Sequence, residues 1–398
     1  MVDDKISSPK DRVIKVLIVE DSMIIRSLLR RMLDEQEDVT VVEMAENGKE
    51  GIEKAEKTKP DVILLDIEMP VMTGLEALPY LRKTVPHAKI IIVSNLSYTG
   101  AEVTLEALGK GATDFIQKPT MKNNRPIEEF TRDLISKILV LGKVAAGGVV
   151  GQAKPLVRSD FTAKKESPTS LSRVSAPAPS TSVVRSSPAS SSAPVLRNYT
   201  LTLPPKIFAI GSSTGGPEAL TKFFAKLSGK FPWDIPIVVT QHMPAFFTNV
   251  FASHIAKASD MPCYEAKDGD ILKPRTIYIA PGDYHMVFSK QGDAVKVVLN
   301  QNPAVNFCRP AVDPMFESLV EIYKGSILAA IFTGMGQDGL NGSRLITERG
   351  GMVIAQDQES SVVWGMPGAV ATAGLCSAIL PLEKMADYVS TLFNGGKP

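Results

Sequence analysis

The sequence predicts two α/β domains joined by a linker, and three observations support this prediction. Short apolar runs of strand length alternate with helical patterns over residues 13–140 and again over residues 201–392. The residues between them, 141–200, include a stretch from Ser167 to Pro194 that is dominated by serine and proline and has no aromatic or acidic residue. Such a stretch cannot bury enough apolar surface to fold, so it is interpreted as a flexible linker. A length of 398 residues also leaves enough chain for two separate cores.

The first domain contains five strand-like runs, and most are continuous rather than alternating. Continuous apolar runs are typical of parallel strands that are buried on both faces. The domain is therefore predicted to be an open, five-stranded parallel sheet with helices on both faces. The runs are Val16–Val19, Val39–Val42, Val62–Leu65, Ile90–Val93 and Asp114–Ile116.

The second domain repeats this alternation over a longer stretch of chain. Its six apolar runs predict a larger, doubly wound α/β domain. The runs are Ile207–Ile210, Ile237–Thr240, Thr276–Ile279, Val295–Leu299, Ile327–Phe332 and Met352–Ala355.

The composition argues against several classes of protein. A formal net charge of +1 gives no general attraction to nucleic acid or to an anionic membrane. The three cysteines lie far apart, which favours neither a disulfide framework nor a zinc site. The N-terminus lacks a signal-peptide core, and no apolar run reaches the length of about 18 residues that spans a membrane. We therefore expect a cytoplasmic monomer that does not insert into membranes.

Polar side chains follow the strands of the first domain, where open parallel sheets bind their ligands. Glu20 and Asp21 follow the first run, Asp66 the third, Ser94 the fourth and Lys118 the fifth. Three carboxylates at one edge repel one another unless a cation lies among them, and an oxygen-only cluster suits Mg²⁺. Asp66 could then accept a phosphoryl group, with Ser94 bonded to its oxygen and Lys118 balancing its charge. Taken singly, each residue is better explained as one that ends a strand or caps a helix.

Taken together, the same residues resemble the receiver domain of response regulators, over roughly Lys15 to Leu139. The resemblance implies a flavodoxin-like fold and phosphorylation of Asp66 by a partner histidine kinase. It also implies a phosphorylation-linked shift around Ser94, and an aromatic switch residue three positions before the lysine, where Phe115 stands.

A glycine-lined turn after the first run of the second domain carries two serines. Gly211 to Gly215 fits the G-x-S-x-G pattern of a nucleophile turn, which favours Ser213 over Ser212. Glycines allow a sharp turn, and the N–H groups of the following helix can stabilise negative charge. The pattern alone is weak, because glycine-serine turns often serve only as caps or phosphate sites.

A serine nucleophile needs a base and an acid within reach. His242 comes directly after the next strand and so falls on the same crest as Ser213, and it is favoured over His285 on position. Asp338, in a glycine-rich segment after a later strand, is the expected acid, and the N–H of Met335 is a candidate oxyanion donor. The order Ser, His, Asp differs from the order in α/β-hydrolases.

Several motifs of the second domain resemble the protein-glutamate methylesterases of chemotaxis, from about Ile207 to Leu382. That family assigns nucleophile, base and acid to the positions of Ser213, His242 and Asp338. One departure is Cys308, where a histidine or a similar polar residue is expected. The motifs are Gly211–Gly216, Gln241–Pro244, Tyr278–Asp283, Arg309–Asp313, Thr333–Gly339 and Gly365–Gly368.

The resemblance implies a phosphorylation-controlled hydrolase. Its substrates would be glutamate γ-methyl esters, and selected glutamines, on methyl-accepting chemotaxis receptors. The oxyanion would be held by backbone N–H groups near the turn, at Thr214, and at Met335, while Arg309 would steer the acidic receptor surface or form a structural ion pair. Mg²⁺ would serve phosphorylation, and the ester reaction would need no cofactor. The rival is a response regulator whose second domain binds nucleic acid or another protein, but no concentrated basic helix supports DNA binding.

Overall fold

The computed structural model describes residues 12–95, 97–119, 127–147, 196–197, 204–229 and 234–393. The predicted linker therefore lies almost entirely outside the described residues. The last helix of the first domain runs to Ala145, five residues past the predicted domain end at 140.

The first domain is a five-stranded, all-parallel sheet with strand order β2-β1-β3-β4-β5, which confirms the predicted fold class. Each predicted run is a strand, lengthened by one to three residues. The strands are β1 (Ile14–Val19), β2 (Val39–Ala45), β3 (Val62–Asp66), β4 (Lys89–Ser94) and β5 (Asp114–Gln117). The helices are α1 (Met23–Asp34), α2 (Gly48–Thr58), α3 (Gly74–Thr84), α4 (Tyr98–Gly109) and α5 (Ile127–Ala145).

Local sequence signals fix where these helices begin. Ser22, Asn47, Thr73 and Ser97 each accept a hydrogen bond from a backbone N–H of the first turn. Because the caps hold the loops that follow the strands, they also position the acidic residues at the strand ends.

The second domain contains a seven-stranded parallel sheet of order β14-β13-β12-β6-β7-β9-β8. Its strands and those of a separate hairpin are β6 (Ile207–Ser212), β7 (Ile237–Gln241), β8 (Cys263–Glu265), β9 (Ile277–Ile279), β10 (His285–Gln291), β11 (Ala294–Asn300), β12 (Ile327–Ile331), β13 (Met352–Gln356) and β14 (Ala378–Leu380). The helices are α6 (Gly216–Leu227), α7 (Phe247–Ser259), α8 (Val312–Tyr323), α9 (Leu340–Glu348), α10 (Met366–Thr372) and α11 (Leu382–Phe393).

One predicted sheet strand has a different place in the structure. The run Val295–Leu299 lies in β11, which pairs antiparallel with β10 in a two-stranded hairpin outside the main sheet. Only Val297 is buried along β11, so the run is half exposed, unlike the fully buried β6 and β7. The short strands β8 and β14, of three residues each, were not predicted.

The topology places one crest of the second sheet at a switch point. β6 is central, the chain continues to β7 on one side, and β12 returns to pair with β6 on the other. Loops that leave the carboxyl ends of β6, β7 and β12 therefore meet at one crevice, the usual place for a ligand site in such sheets.

The two domains pack against each other through β5, α4 and α5 of the first domain. The rings of Phe115 and Phe247 stack with centroids 4.6 Å apart and planes 12° from parallel. The Thr214 hydroxyl donates a buried hydrogen bond of 2.7 Å to Asp114 Oδ2. The guanidinium of Arg132 lies 4.4 Å from the centre of the Phe307 ring. This interface covers part of the crevice at the carboxyl ends of β6 and β12.

Within the described ranges, no helix is both long enough and apolar enough to cross a membrane.

Candidate active site and phosphoacceptor site

The two serines after β6 have different surroundings. Ser212 is fully buried and its hydroxyl donates to Gln241 Oε1 at 2.6 Å. Ser213 is half-exposed at the turn, where its N–H donates to the carbonyl of Thr333 at 3.0 Å. The side chain of Ser212 is thus occupied inside the turn, whereas the Ser213 hydroxyl makes no hydrogen bond within the part of the chain that the structure describes.

The turn depends on glycine at two positions. Gly215 has φ +76°, a conformation that favours glycine. A Cβ on Gly216 would lie 2.0 Å from Gln241 Oε1, the atom that binds Ser212. A larger residue there would disturb the bond that holds Ser212 in place.

His242 and Asp338 form a short pair across the crevice, in which Asp338 is buried and His242 is half-buried. His242 Nε2 lies 2.7 Å from Asp338 Oδ2. The carboxylate also accepts the N–H groups of Val312, at 2.6 Å, and Asp313, at 3.1 Å, at the start of α8. Burial raises the pKa of Asp338, but the hydrogen bond and charge of His242 and the helix N–H groups outweigh burial and lower that pKa below its ordinary value. Asp338 is therefore held as a carboxylate that fixes Nε2 as the protonated ring nitrogen.

The competing histidine, His285, is buried and its ring contacts the backbone through both nitrogens. It is 1% exposed, its Nδ1 accepts the N–H of Ala311 at 3.2 Å, and its Nε2 lies 3.2 Å from the carbonyl of Pro303. Both ring nitrogens are occupied by backbone groups, which leaves neither for a reacting proton.

The free nitrogen of His242 faces a thiol. Cys308 Sγ lies 3.4 Å from His242 Nδ1, and among the described residues no hydrogen bond joins Ser213 Oγ to the ring. Burial alone would lower the pKa of His242, but the negative charge of Cys308 and the hydrogen bond and charge of Asp338 raise it to about 10.

The loop after β12 lies beside Ser213. A Cβ on Gly334 would be 2.9 Å from Ser213 Cβ, so only glycine lets the loop approach this closely. In the part of the chain that the structure describes, the N–H groups of Thr214 and Met335 donate no hydrogen bond. Two unpaired donors thus flank the half-exposed serine.

Arg309, predicted to contact substrate or to form an ion pair, is tied to its own domain. Its Nη2 lies 3.3 Å from Asp283 Oδ1, and its Nη1 donates to the carbonyls of Gln301 and Asn302, both at 3.2 Å. Of the two alternatives, these contacts match the structural ion pair.

The predicted cluster at the edge of the first sheet is formed. Carboxylate oxygens of Glu20, Asp21 and Asp66 all lie within 4.8 Å of one another. Lys118 Nζ lies 2.8 Å from Asp66 Oδ2 and 2.9 Å from Glu20 Oε2. An oxygen-only set of this kind matches the ligands that Mg²⁺ prefers.

The charges in this cluster oppose one another. Burial and the charge of Asp66 raise the pKa of Glu20, and burial and the charge of Asp21 raise that of Asp66, while Lys118 opposes both shifts. A cation among the three carboxylates would relieve this repulsion.

Ser94 and Phe115 lie on neighbouring strands but face different surroundings. Ser94 Oγ accepts a hydrogen bond from the Thr104 hydroxyl at 2.7 Å. Phe115 is 6% exposed and its ring packs on Phe247 of the second domain. The predicted aromatic switch is therefore an interface residue.

The first domain covers the crevice through two sets of contacts, the hydrogen bonds of Asp114 and a cluster of apolar side chains. Asp114 accepts both the Thr214 hydroxyl and the Lys137 ammonium, the latter at 2.5 Å. Val363 and Met335, on loops of the crevice, belong to or pack on the buried cluster that includes Ile138 of α5. Both flanks of the nucleophile turn thus contact the first domain.

Sequence reasoning missed three contributors to these sites. Gln241 fixes Ser212 and also donates to the carbonyl of Ser213 at 3.0 Å. Asp313 lies beside Asp338, and burial together with that charge raises the pKa of Asp313 to about 6. Asp114 links the domains. Gln241 and Asp313 lie within the motifs quoted above, so their positions carried a signal; Asp114 only begins a strand, and no pattern within one domain reveals a partner on another.

Fold and site together define a class: a response-regulator receiver joined to an α/β domain that presents a serine and a histidine–aspartate pair on one crest. Family profiles agree, since the response regulator receiver domain matches residues 16–126 and CheB methylesterase matches residues 208–389. The chain belongs to the protein-glutamate methylesterase/protein-glutamine glutaminase family.

Individual relatives cover nearly the whole chain. The protein-glutamate methylesterase/protein-glutamine glutaminase of Maricaulis maris is 43% identical over 98% of this chain and 98% of its own length. Protein-glutamate methylesterase/protein-glutamine glutaminase 1 of Rhodospirillum rubrum is 45% identical over 94% of this chain and 94% of its own length. Among solved structures, the Thermotoga maritima CheB methylesterase catalytic domain is 40% identical and covers 48% of this chain and 100% of its own, with a TM-score of 0.46.

Proposed function

We propose that the protein is a phosphorylation-activated hydrolase that demethylates glutamate γ-methyl esters, and deamidates glutamines, on methyl-accepting chemotaxis receptors. The proposal extends to this chain the activity for which its relatives are named. The observation that carries it is the crest on which a half-exposed Ser213 lies near the half-buried His242, which is paired with the buried Asp338.

Ser213 is proposed as the nucleophile and His242 as its base. Neutral His242 takes the Ser213 proton on Nδ1, because Nε2 is held as a donor by Asp338. The serine oxygen then attacks the ester carbonyl. Asp338 stabilises the imidazolium that results. For this step Nδ1 must exchange its contact with Cys308 for one with Ser213.

The unpaired N–H groups of Thr214 and Met335 are proposed to hold the oxyanion of the tetrahedral intermediate. Collapse of that intermediate expels methoxide, which takes the proton from His242 and leaves as methanol. Water then attacks the acyl-enzyme with His242 again as base, and the products are a glutamate side chain and free Ser213. A glutamine amide would follow the same course with ammonia as the leaving group.

The first domain is proposed to restrain this chemistry until Asp66 is phosphorylated by the chemotaxis histidine kinase. Glu20, Asp21 and Asp66 would hold Mg²⁺, which would neutralise charge on the transferring phosphoryl group. Lys118, at the end of β5, would then pair with the phosphoryl group, and Ser94 would donate a hydrogen bond to it.

The strand β5 links the two events. It carries Asp114 and Phe115, which contact the second domain, and Lys118 follows it directly at the phosphorylation site. A shift of Lys118 toward a phosphoryl group would therefore act on the residues that hold the domains together. The interface covers the flanks of the nucleophile turn, which supports relief of occlusion over distortion of the triad.

Methanol release from methylated receptor tests the assignment of the nucleophile. Ser213→Ala should lose several orders of magnitude in rate, as removal of a triad member does. The matched control Ser212→Ala removes a neighbouring hydroxyl that binds Gln241 instead, and it should keep substantial activity. Asp66 phosphorylation and thermal unfolding of both variants check the fold. An inactive Ser212→Ala with an active Ser213→Ala would exchange the two roles, and activity in both would overturn the hydrolase proposal.

A further inference from the structure

Cys308 differs in its surroundings from the other two cysteines. Cys263 and Cys376 are buried in the core, where burial raises the pKa of both thiols, that of Cys376 to about 12. Cys308 is half-exposed in a loop beside the crevice. The two buried thiols are expected to be inert, whereas an accessible thiol in a polar site can react.

His242 is the side chain that contacts the sulfur of Cys308. Its Nδ1 lies 3.4 Å from that sulfur. Lys137 of α5 also interacts electrostatically with Cys308. Burial lowers the pKa of the Lys137 ammonium, but Asp114, Asp133 and Cys308 raise that pKa. A thiolate is stabilised beside an imidazolium and an ammonium, and the thiolate is the form that oxidants and alkylating agents attack.

The Cys308 sulfur also contacts the ring nitrogen of His242 that the proposed catalysis uses. Asp338 holds His242 Nε2, so Nδ1 is the nitrogen left to take the Ser213 proton, and Nδ1 is the atom that Cys308 contacts. A group added to the sulfur would lie against Nδ1, the atom that has to accept the Ser213 proton.

We propose that Cys308 is a modifiable thiol through which hydroperoxides switch off the hydrolase. This inference rests on the proposed function. The Cys308 thiolate attacks one peroxide oxygen, an S–O bond forms, and the O–O bond breaks. The sulfur is oxidised to sulfenic acid while the peroxide is reduced, and its second oxygen leaves as hydroxide, which is protonated to water. The sulfenic hydroxyl then hydrogen-bonds to Nδ1 in place of Ser213.

The modification is reversible by a thiol reductant. A first thiol condenses with the sulfenic acid to a mixed disulfide and releases water, and a second thiol attacks that disulfide and restores Cys308. The switch acts on the base itself and is independent of phosphorylation at Asp66.

The test uses the full-length reduced protein, treated with hydrogen peroxide and quenched with catalase. Each variant is compared with its own untreated methanol-release rate, and sulfenic acid is located by dimedone labelling and peptide mass. Full modification of Cys308 should lower the rate by about 10²-fold or more, because general-base catalysis contributes about 10²–10⁴-fold. Dithiothreitol should restore the rate if it is added before dimedone.

Three variants make the test specific. Cys308→Ser should keep its own untreated rate after peroxide, and Cys376→Ala should lose its rate as the wild type does. His242→Gln should slow alkylation of Cys308 by iodoacetamide at neutral pH, because it removes the imidazolium that stabilises the thiolate. This last readout does not depend on hydrolase activity.

The outcomes separate the two proposals. An active enzyme that keeps its rate with Cys308 fully oxidised would overturn the inference, and so would a Cys308→Ser enzyme as sensitive as the wild type. Alkylation of Cys308 no faster than that of Cys263 would also overturn it. An untreated wild type that releases no methanol would instead overturn the proposed function, while the alkylation rates would still decide whether the thiol is reactive.

Discussion

The contact between Asp114 and Thr214 allows a measured test of restraint by the first domain. Asp114→Asn keeps the shape of the side chain but removes its charge. The carboxylate accepts the Thr214 hydroxyl at 2.7 Å, and the two residues are 6% and 3% exposed. The hydrogen bond is therefore shielded from water. Solvent should not reduce the effect of removing the Asp114 charge on its strength.

The magnitude follows from the strength of such bonds. A hydrogen bond to a charged group contributes about 1.5–3 kcal/mol and a neutral one about 0.5–1.5, so the substitution should weaken the closed arrangement by about 1–2 kcal/mol. That is about 5- to 30-fold in the ratio of open to closed molecules. If only open molecules hydrolyse ester, the rate without phosphate should rise by the same factor. The ion pair of Asp114 with Lys137 lies within the first domain, so its loss affects both arrangements.

The assay is methanol release before and after a small phosphodonor. Asp114→Asn should raise the rate before phosphorylation and leave the phosphorylated rate unchanged. Thr214→Val removes the same bond from the other side and should lower the ratio of phosphorylated to unphosphorylated rates similarly, with little further effect in the double variant. An unchanged unphosphorylated rate in Asp114→Asn, with normal unfolding and normal phosphorylation, would refute restraint through this interface.

Three further predictions test the two sites separately. Asp66→Asn should abolish phosphoryl labelling by a small phosphodonor, and the wild type should lose its label without Mg²⁺ because the clustered carboxylates need the cation; undiminished labelling of the variant would place the acceptor elsewhere. Asp338→Asn should lower kcat by about 10⁴-fold through the wrong imidazole tautomer, and a normal kcat would remove Asp338 from the triad. Cys308→Ser removes the sulfur whose charge and hydrogen bond help to raise the pKa of His242 to about 10, so that pKa should fall. Since the base must be neutral, the rising limb of kcat/KM against pH should move to lower pH; a limb that stays in place would show that the thiol does not charge His242.

Much of the fold follows from the sequence because buried parallel strands leave a strong signal. The five strands of the first domain were all predicted, since β1, β3 and β4 are nearly continuous apolar runs. The hairpin strand β11 carried a similar run but is buried mainly at Val297, and periodicity does not report which sheet a strand joins.

The predicted site residues converge for a topological reason. Ser213, His242 and Asp338 follow β6, β7 and β12, which are neighbours in the sheet, so knowledge of strand ends was enough to bring them together. The roles assigned to them remain predictions. Position also favoured His242 over His285, and the structure supplies the reason in the backbone groups that occupy both nitrogens of His285.

Contacts made by residues that do not follow strand ends could not be predicted. The sequence marked Cys308 as a departure from the family pattern, but only the folded chain brings its sulfur to His242 Nδ1. In the same way, nothing in β5 alone indicates that Asp114 binds Thr214, which lies 100 residues further along the chain. The first contact depends on how a loop of the second domain folds and the second on how the two domains pack, and no local pattern encodes either.

Methanol release from methylated receptor, with and without a small phosphodonor and Mg²⁺, tests the central claim most directly. We predict slow release by the full chain, a marked increase on phosphorylation, no increase in Asp66→Asn and no release by Ser213→Ala. Release by Ser213→Ala at the wild-type rate would contradict the assigned chemistry. A rate that falls on phosphorylation would contradict restraint of the hydrolase by the unphosphorylated first domain.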